Sequence, residues 1–457
     1  MDSSTPPKSF QKNSWANRLK SQIAGLANET LGLVISRQKQ KELLGTSIYR
    51  NAFYLVITNI VGPLTNFFFW IVVARIYATS DVGLASATNS IAALLGLLST
   101  LGFEFGLVRY LANADQNTNR MVNTSFTLGS LTSVLFSIIF LAGVGSFSPA
   151  LVPLRQNPLY ICLFILFAIV MTMTILMSNV FVAQRHAKYT MIVNLISCTL
   201  QLVMILLLMP FTHSFSGIVA VFAFSGAIAL IFGTIFLLPR TLKEYRPVPV
   251  INIGIVKEII HFSFTNYVAN MLWSFAIYLL PIMVVNLLNK ESNAYFYIAW
   301  TMGAVLSTIA GATTNALFAE GSFDENQLGT NVWRCLKMTY FLLIPAALIV
   351  FLLADKLLLI YGTDYSSKGR LLLRLMCITA LPLSMNSIYI SILRVQKRTT
   401  LLILLSLVVA AITLITSYLL LPHLGITATG IGWLVSQSVV AIFVGCRLLK
   451  LRKTGQI

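Results

Sequence analysis

Twelve runs of about twenty mostly apolar residues follow one another along this chain, and that succession limits its fold more than any other feature. They lie near 52–74, 84–108, 122–146, 159–182, 189–210, 217–239, 262–287, 294–318, 336–354, 371–393, 399–421 and 425–446. In hydrocarbon a helix satisfies its own backbone groups, so each run predicts a spanning helix. Composition agrees, with 57% of the 457 residues hydrophobic and only 10% charged, against about 25% charged in a soluble domain. Barrel strands alternate apolar and polar residues, whereas these runs are continuous. The expectation is an all-α polytopic membrane protein of about twelve transmembrane helices.

An even number of spans puts both termini on one side, and the basic residues say which. Of the 32 Lys and Arg, 25 fall on the terminus side and 7 opposite. Loops rich in Lys and Arg stay inside, so both termini are expected in the cytoplasm of a multi-pass protein of the cytoplasmic membrane. The net charge of +18 then reads as topology and attraction to anionic lipid headgroups, with no nucleic-acid partner. Before the first span, Trp15, Leu19, Ile23 and Leu26 recur at helical spacing beside Arg18 and Lys20. This tail over 1–47 reads equally as an interfacial helix or as a disordered basic segment. The five cysteines stand singly, without metal or disulfide spacing.

The halves of the chain resemble each other. Asp81-Val-Gly83 finds a counterpart in Glu291-Ser-Asn293, and Gly102 matches Gly311. Gln184-Arg185 parallels Gln396-Lys397, and Pro210 parallels Pro422. The expected organisation is a six-helix lobe over 48–239, a cytoplasmic linker over 240–257, a second six-helix lobe over 258–447 and a tail over 448–457. Six spans per half give both lobes one topology, related by an axis along the membrane normal, with a transport cleft between them.

Ionisable groups within spans are costly, about 2.5–3.5 kcal/mol at a helix centre on insertion scales, so each is a functional candidate. Glu104 is the deep carboxylate, available for gating or ion coupling, or for a structural partner in the other lobe. Arg109 lies about 140° round the helix from it, as a phosphate contact or an interfacial anchor. Arg370 and Arg374 share a face, and arginine's planar fork suits phosphate; both also suit topology anchors, as does Arg75. His261 reads as an interface residue. Amides beside aromatic rings suit sugars, the amide bonding hydroxyls and the ring stacking on C–H faces. Asn266, Asn270, Trp273 and Tyr278 recur on span seven, Asn59, Asn66 and Trp70 on span one, Asn89 and Ser90 on span two, and Thr301, Thr308, Thr314 and Asn315 on span eight. Such residues also glue helices together. Their concentration in equivalent spans marks a shared cavity. No nucleotide, nucleophile-elbow or zinc motif occurs, and no cofactor or metal is expected.

The stretch Ile71-Val-Val-Ala-Arg75 with Asp81-Val-Gly83, then Leu101-Gly-Phe-Glu-Phe-Gly-Leu-Val-Arg-Tyr-Leu111, resembles the Wzx-like polysaccharide and O-antigen flippases of the MOP (MATE-like) superfamily. The resemblance implies a non-enzymatic flippase that carries polyprenyl-pyrophosphate-linked oligosaccharide to the outer leaflet for surface polysaccharide synthesis. It also implies membrane lipids and polysaccharide-assembly proteins as partners. Arg109 would meet the pyrophosphate, and Glu104, Asn66, Trp70, Asn266, Asn270, Trp273, Asn315 and Arg374 would line the path. A multidrug or cation antiporter of the same superfamily is the main alternative, and a lipid II flippase a lesser one. A membrane glycosyltransferase would want deep carboxylates and a large extracytoplasmic domain, which the sequence lacks.

Overall fold

A computed structural model describes residues 47–111, 117–208, 210–211, 214–323, 328–396 and 398–453. Side chains at Asn59 and over 315–331 are outside that description, as are the N-terminal residues 1–46. The expected interfacial helix of the tail therefore lies outside the described residues. The chain divides into a unit ending at Tyr54 and a unit from Leu55 onward, and the second unit holds the helix bundle.

The helices are α1 (Ser47–Ile76), α2 (Thr79–Ser99), the short α3 (Phe103–Tyr110), α4 (Thr118–Phe147), α5 (Pro158–Ala183), α6 (Ala187–Leu208) and α7 (Phe215–Thr241). Then come α8 (Ile253–Leu287), α9 (Lys290–Phe323), α10 (Leu328–Leu359), α11 (Thr363–Val395), α12 (Thr399–Leu424) and α13 (Thr427–Lys453). Among the described residues, eleven helices are long and apolar enough to cross a membrane, and Val61–Ile76 within α1 is a shorter apolar one. The runs read from the sequence fall on these helices.

The turns explain the boundaries. Asn157 caps α5 by accepting from Leu159 N at 2.9 Å, with Pro158 in the first helical position, where its missing N–H is not needed. Asn252 likewise accepts from Ile255 N at 3.2 Å and starts α8. α8 thus takes up residues that the sequence assigned to the linker, leaving a turn over 242–244 and a segment without regular structure over 245–252. Pro247 and Pro249 have no N–H to give a helix. The segment instead lies along α4, whose Asn119 and Asn123 amides donate to Lys243 O and Arg246 O at 3.1 and 2.9 Å. Thr127 Oγ1 accepts from Val250 N at 3.2 Å.

The bundle is sorted by where its apolar side chains go. On α4, Leu131, Leu135, Ile138 and Ile139 are exposed, as are Ile344, Leu348, Ile349 and Leu352 on α10. In water such surfaces would be untenable; here they are the faces offered to lipid. α2 is the opposite case, a central helix with 83% of its apolar window buried. It packs against α8 and α9. Small residues permit this, since Ser86, Thr88, Ser90 and Ser99 bond back to carbonyls of their own helix.

Element by element, the internal repeat is partly visible. Asp81 and Glu291 both sit in the first turn of their helices, and Gln184 and Gln396 both form C-caps. The Gly102–Gly311 pair diverges. Gly102 has φ 83° and breaks the second span between α2 and α3, whereas Gly311 lies inside the continuous α9. Pro210 and Pro422 differ too, one in a turn after α6 and the other within α12.

Candidate functional site

Alternation of the helices gives the bundle two ends, a linker end bearing residues 242–252 and a far end bearing the α1–α2 and α8–α9 turns. At the far end the first six spans are tied to the last six. Arg75 donates from Nε to Ile360 O at 2.8 Å and from Nη2 to Leu359 O at 3.0 Å. Asn286 Nδ2 donates to Phe147 O at 3.1 Å, and Ser148 Oγ to Asn286 Oδ1 at 3.0 Å. Asn293 Nδ2 reaches Gly83 O at 2.8 Å and Ser86 Oγ at 3.1 Å. Arg75, an anchor candidate by sequence, is therefore a clasp.

Deeper in, the Trp70 indole donates to Asn66 Oδ1 at 3.0 Å, one helical turn back. The ring lies 4.9 Å from Tyr297 on α9, whose hydroxyl accepts from Asn89 Nδ2 at 2.9 Å. Trp70 is only 1% exposed and belongs to the apolar core. Asn66 and Trp70 are thus brought together, but as a packed joint between spans one, two and eight rather than an open sugar platform.

At the linker end, Leu101 and Gly102 both adopt positive φ, which turns α3 away from the axis of α2. Tyr267 and Ser263 of α8 crowd the site a Gly102 side chain would fill, with Cβ atoms 3.1 and 3.2 Å from it. Tyr267 OH donates to Leu98 O at 2.9 Å. Glu104 sits two residues beyond Gly102, 5% exposed, the only buried carboxylate among the described residues. Its nearest polar groups are the Thr100 hydroxyl and its own backbone amide, but neither is aligned to bond it; the Thr100 hydroxyl donates to Leu97 O at 2.8 Å. Arg109 is exposed on the other side of α3, its guanidinium 5.7 Å from the Tyr110 ring centre. Glu104 is thus buried and Arg109 exposed.

Asn266, Asn270 and Trp273 are all half-buried on α8, and no described residue bonds the two amides. Trp273 leads into a cavity of about 280 Å³ walled by α8, α9, α11 and α13. Trp300 and Trp433 complete an aromatic wall, with Trp273–Trp433 and Trp300–Trp433 ring centres 5.7 and 5.5 Å apart at 69° and 60°. Ser307, Ser387 and Met376 also line it. Trp300, Trp433 and both serines were not singled out from the sequence. A signal existed: the chain has six tryptophans, and Trp300, Gly303, Ala304 and Ser307 recur at helical spacing.

One predicted residue is placed elsewhere. Arg374 bonds Asp355 Oδ2 at 2.8 Å and Phe351 O at 3.4 Å, with Arg370 4.0 Å from Asp355 Oδ1. Its charge is engaged between α10 and α11, and it does not line the cavity. Asn315 lies in α9, outside the described side chains. Among the described residues, no cluster of His, Cys, Asp or Glu could hold a metal ion.

This geometry can be set against known proteins. No curated protein is significantly similar in sequence. The fold matches an inward-facing multidrug resistance MATE transporter of the MOP superfamily, with TM-score 0.65 and 15% identity over 87% of this chain and 99% of that one. It matches an outward-facing form with TM-score 0.61 and 16% identity over 92% and 100%. A MOP superfamily transporter from Pyrococcus furiosus, described as having a binding pocket of reversed polarity, matches with TM-score 0.64 and 16% identity over 91% and 99%. At such identity the likeness shows the fold, which is MATE-like. A family model described as polysaccharide biosynthesis protein matches residues 72–370, more than half of the chain. The chain is a multi-pass membrane protein of MATE-like fold and belongs to the polysaccharide biosynthesis protein family.

Proposed function

We propose that the protein is a flippase that moves a polyprenyl-pyrophosphate-linked oligosaccharide across the cytoplasmic membrane by alternating access of its two six-helix halves. The observation that carries this reading is the character of the polar path. Asn266, Asn270 and Trp273 lead into a cavity walled by aromatic rings and serine hydroxyls, with no charged residue in its lining. Amides, hydroxyls and indoles replace the hydration of a sugar, which otherwise loses a few kcal/mol for each buried unpaired hydroxyl. The family supports a role in polysaccharide assembly, and transporters of the same fold are known in inward-facing and outward-facing forms, as alternating access requires.

With the termini cytoplasmic, the Arg75, Asn286 and Asn293 clasps face outward and the molecule is closed to the exterior. Arg109 then stands at the cytoplasmic mouth, where it meets the pyrophosphate, and the lipid tail stays in the bilayer. An inside-negative potential favours outward movement of that anion by about 2.3 kcal/mol per charge per 100 mV. Glu104 is the carboxylate through which an ion would couple.

The test is complementation. In a bacterium whose own O-antigen flippase is deleted, this chain restores surface polysaccharide, and Arg109→Ala does not. Failure of the wild-type chain, correctly inserted, against several glycan types would remove the reading.

A further inference from the structure

We infer that the Trp273–Trp300–Trp433 cavity is a subsite for a single uncharged pyranose ring, which would hold one sugar of the transported glycan inside the second half. The inference rests on the flippase reading for its biological meaning, but the binding it asserts stands on the cavity alone.

Three kinds of occupant fit an aromatic cavity, and hydrogen-bond bookkeeping separates them. Indole N–H groups can only donate. No described residue accepts from those of Trp273, Trp300 or Trp433, whereas the Trp70 indole is satisfied by Asn66. The two serines are committed in the opposite sense. Ser307 Oγ donates to Ala304 O, and Ser387 Oγ donates to Leu383 O at 2.9 Å. Their single hydrogens are used within their own helices, so toward the cavity they offer only oxygen lone pairs. The lining therefore combines uncommitted donors on its tryptophans with uncommitted acceptors on its serines, spread over four helices. A pyranose has ring and hydroxyl oxygens to accept and hydroxyl hydrogens to donate, and C–H faces to lie on indole rings. A lipid chain leaves every one of these groups unpaired, at a cost for each.

An organic cation would gain cation–π attraction from the rings. That gain is far smaller than the cost of taking an unpaired cation out of water, and no carboxylate lines the cavity. Size points the same way. The volume of about 280 Å³ lies just below the roughly 300–1,000 Å³ of pockets for drug-sized ligands. It suits one ring and not an oligosaccharide.

The cavity is also placed to receive a ring. Trp273 is three residues on from Asn270, which is four on from Asn266, so the amides and the indole share one stripe of α8. A sugar moving along that stripe exchanges amide contacts for the aromatic wall.

The experiment measures binding to the full chain in lipid nanodiscs. The probe is a p-nitrophenyl hexopyranoside, whose nitrophenyl group quenches indole emission. Quenching is expected to saturate and to be reversed by methyl hexopyranoside, which has no aromatic group. Ala304→Phe, which fills the cavity, should weaken binding at least about tenfold, and Trp300→Phe with Ser387→Ala, which keep the shape but remove polar groups, by a similar factor. Thermal melting establishes that each variant is folded. The inference is overturned if folded Ala304→Phe binds like wild type. It is also overturned if p-nitrophenol quenches equally, or if a tetraalkylammonium ion or a long-chain alcohol displaces the probe while methyl hexopyranoside does not. Flipping of a lipid-linked glycan by the same wild-type preparation tests the transport reading separately, since a sugar-binding protein that flips nothing would retain the subsite and lose the function.

Discussion

Asn293 Nδ2 donates to the carbonyl oxygen of Gly83 across 2.8 Å, joining two residues 210 positions apart in the chain. The bond exists because Gly83 has no side chain. A Cβ there would stand 1.8 Å from the Lys290 carbonyl oxygen, inside any possible contact. Glycine here serves close helix approach, since its backbone is ordinary helix. Gly83→Ala should therefore loosen the far-end closure, at about 1–3 kcal/mol for an overpacked contact. That shifts the conformational balance at least about fivefold. Labelling of Ser90→Cys, a near-isosteric change at a residue buried on the same helix, by an impermeant maleimide, in a background without the native cysteines, should speed up accordingly; an unchanged rate would show that the contact does not hold the seal.

Asp81 has a defined partner across the same end. Its Oδ1 accepts from Phe215 N at 2.9 Å, at the N-terminus of α7. A carboxylate there satisfies an orphan donor and faces the positive end of a helix dipole. Asp81→Ala should lower stability by about 0.5–2 kcal/mol, and Asp81→Asn, which keeps an acceptor oxygen, by less. Melting curves in one detergent distinguish them. Equal losses would mean that the charge, and not the bond, matters.

Glu104 invites a prediction in two opposite directions. Its carboxylate is buried with only the Thr100 hydroxyl and its own amide near it and no well-aligned bond, an arrangement that costs a folded protein stability. Glu104→Gln should melt at higher temperature, by the equivalent of about 1 kcal/mol or more, while transport falls. A variant that is both less stable and fully active would contradict the assignment of Glu104 to function.

Arg374 should behave otherwise. Its ion pair with Asp355 is partly exposed, with side-chain exposures of 32% and 43%, and such pairs contribute about 0–1 kcal/mol. Arg374→Ala should leave transport unchanged and stability nearly so, measured by flipping and melting. Loss of transport with normal folding would return Arg374 to the substrate path.

Much of this was legible in the sequence because the bilayer forces it. Apolar length fixes spans, and the runs near 122–146 and 159–182 fall within α4 and α5. The break at Gly102 was less visible, because a glycine in an apolar run reads equally as a packing contact, as Gly83 is. The candidate site was half-legible. Asn266, Asn270 and Trp273 stand out in the sequence because they share one helix face. Trp300 and Trp433 belong to helices far apart in the chain, and no local pattern says that their rings meet. Asn66 and Trp70 looked like sugar-binding chemistry, yet they satisfy each other; Trp70→Ala should cost about 3–5 kcal/mol as a core truncation.

The most direct measurement places purified protein in liposomes with a fluorescent polyprenyl-pyrophosphate-linked oligosaccharide and follows the fraction open to an impermeant quencher. The account predicts that the protein equilibrates the glycolipid between leaflets, that Glu104→Gln slows this, and that a fluorescent organic cation is not accumulated against a proton or sodium gradient. Accumulation of the cation with no movement of the glycolipid would contradict it and make the protein an antiporter.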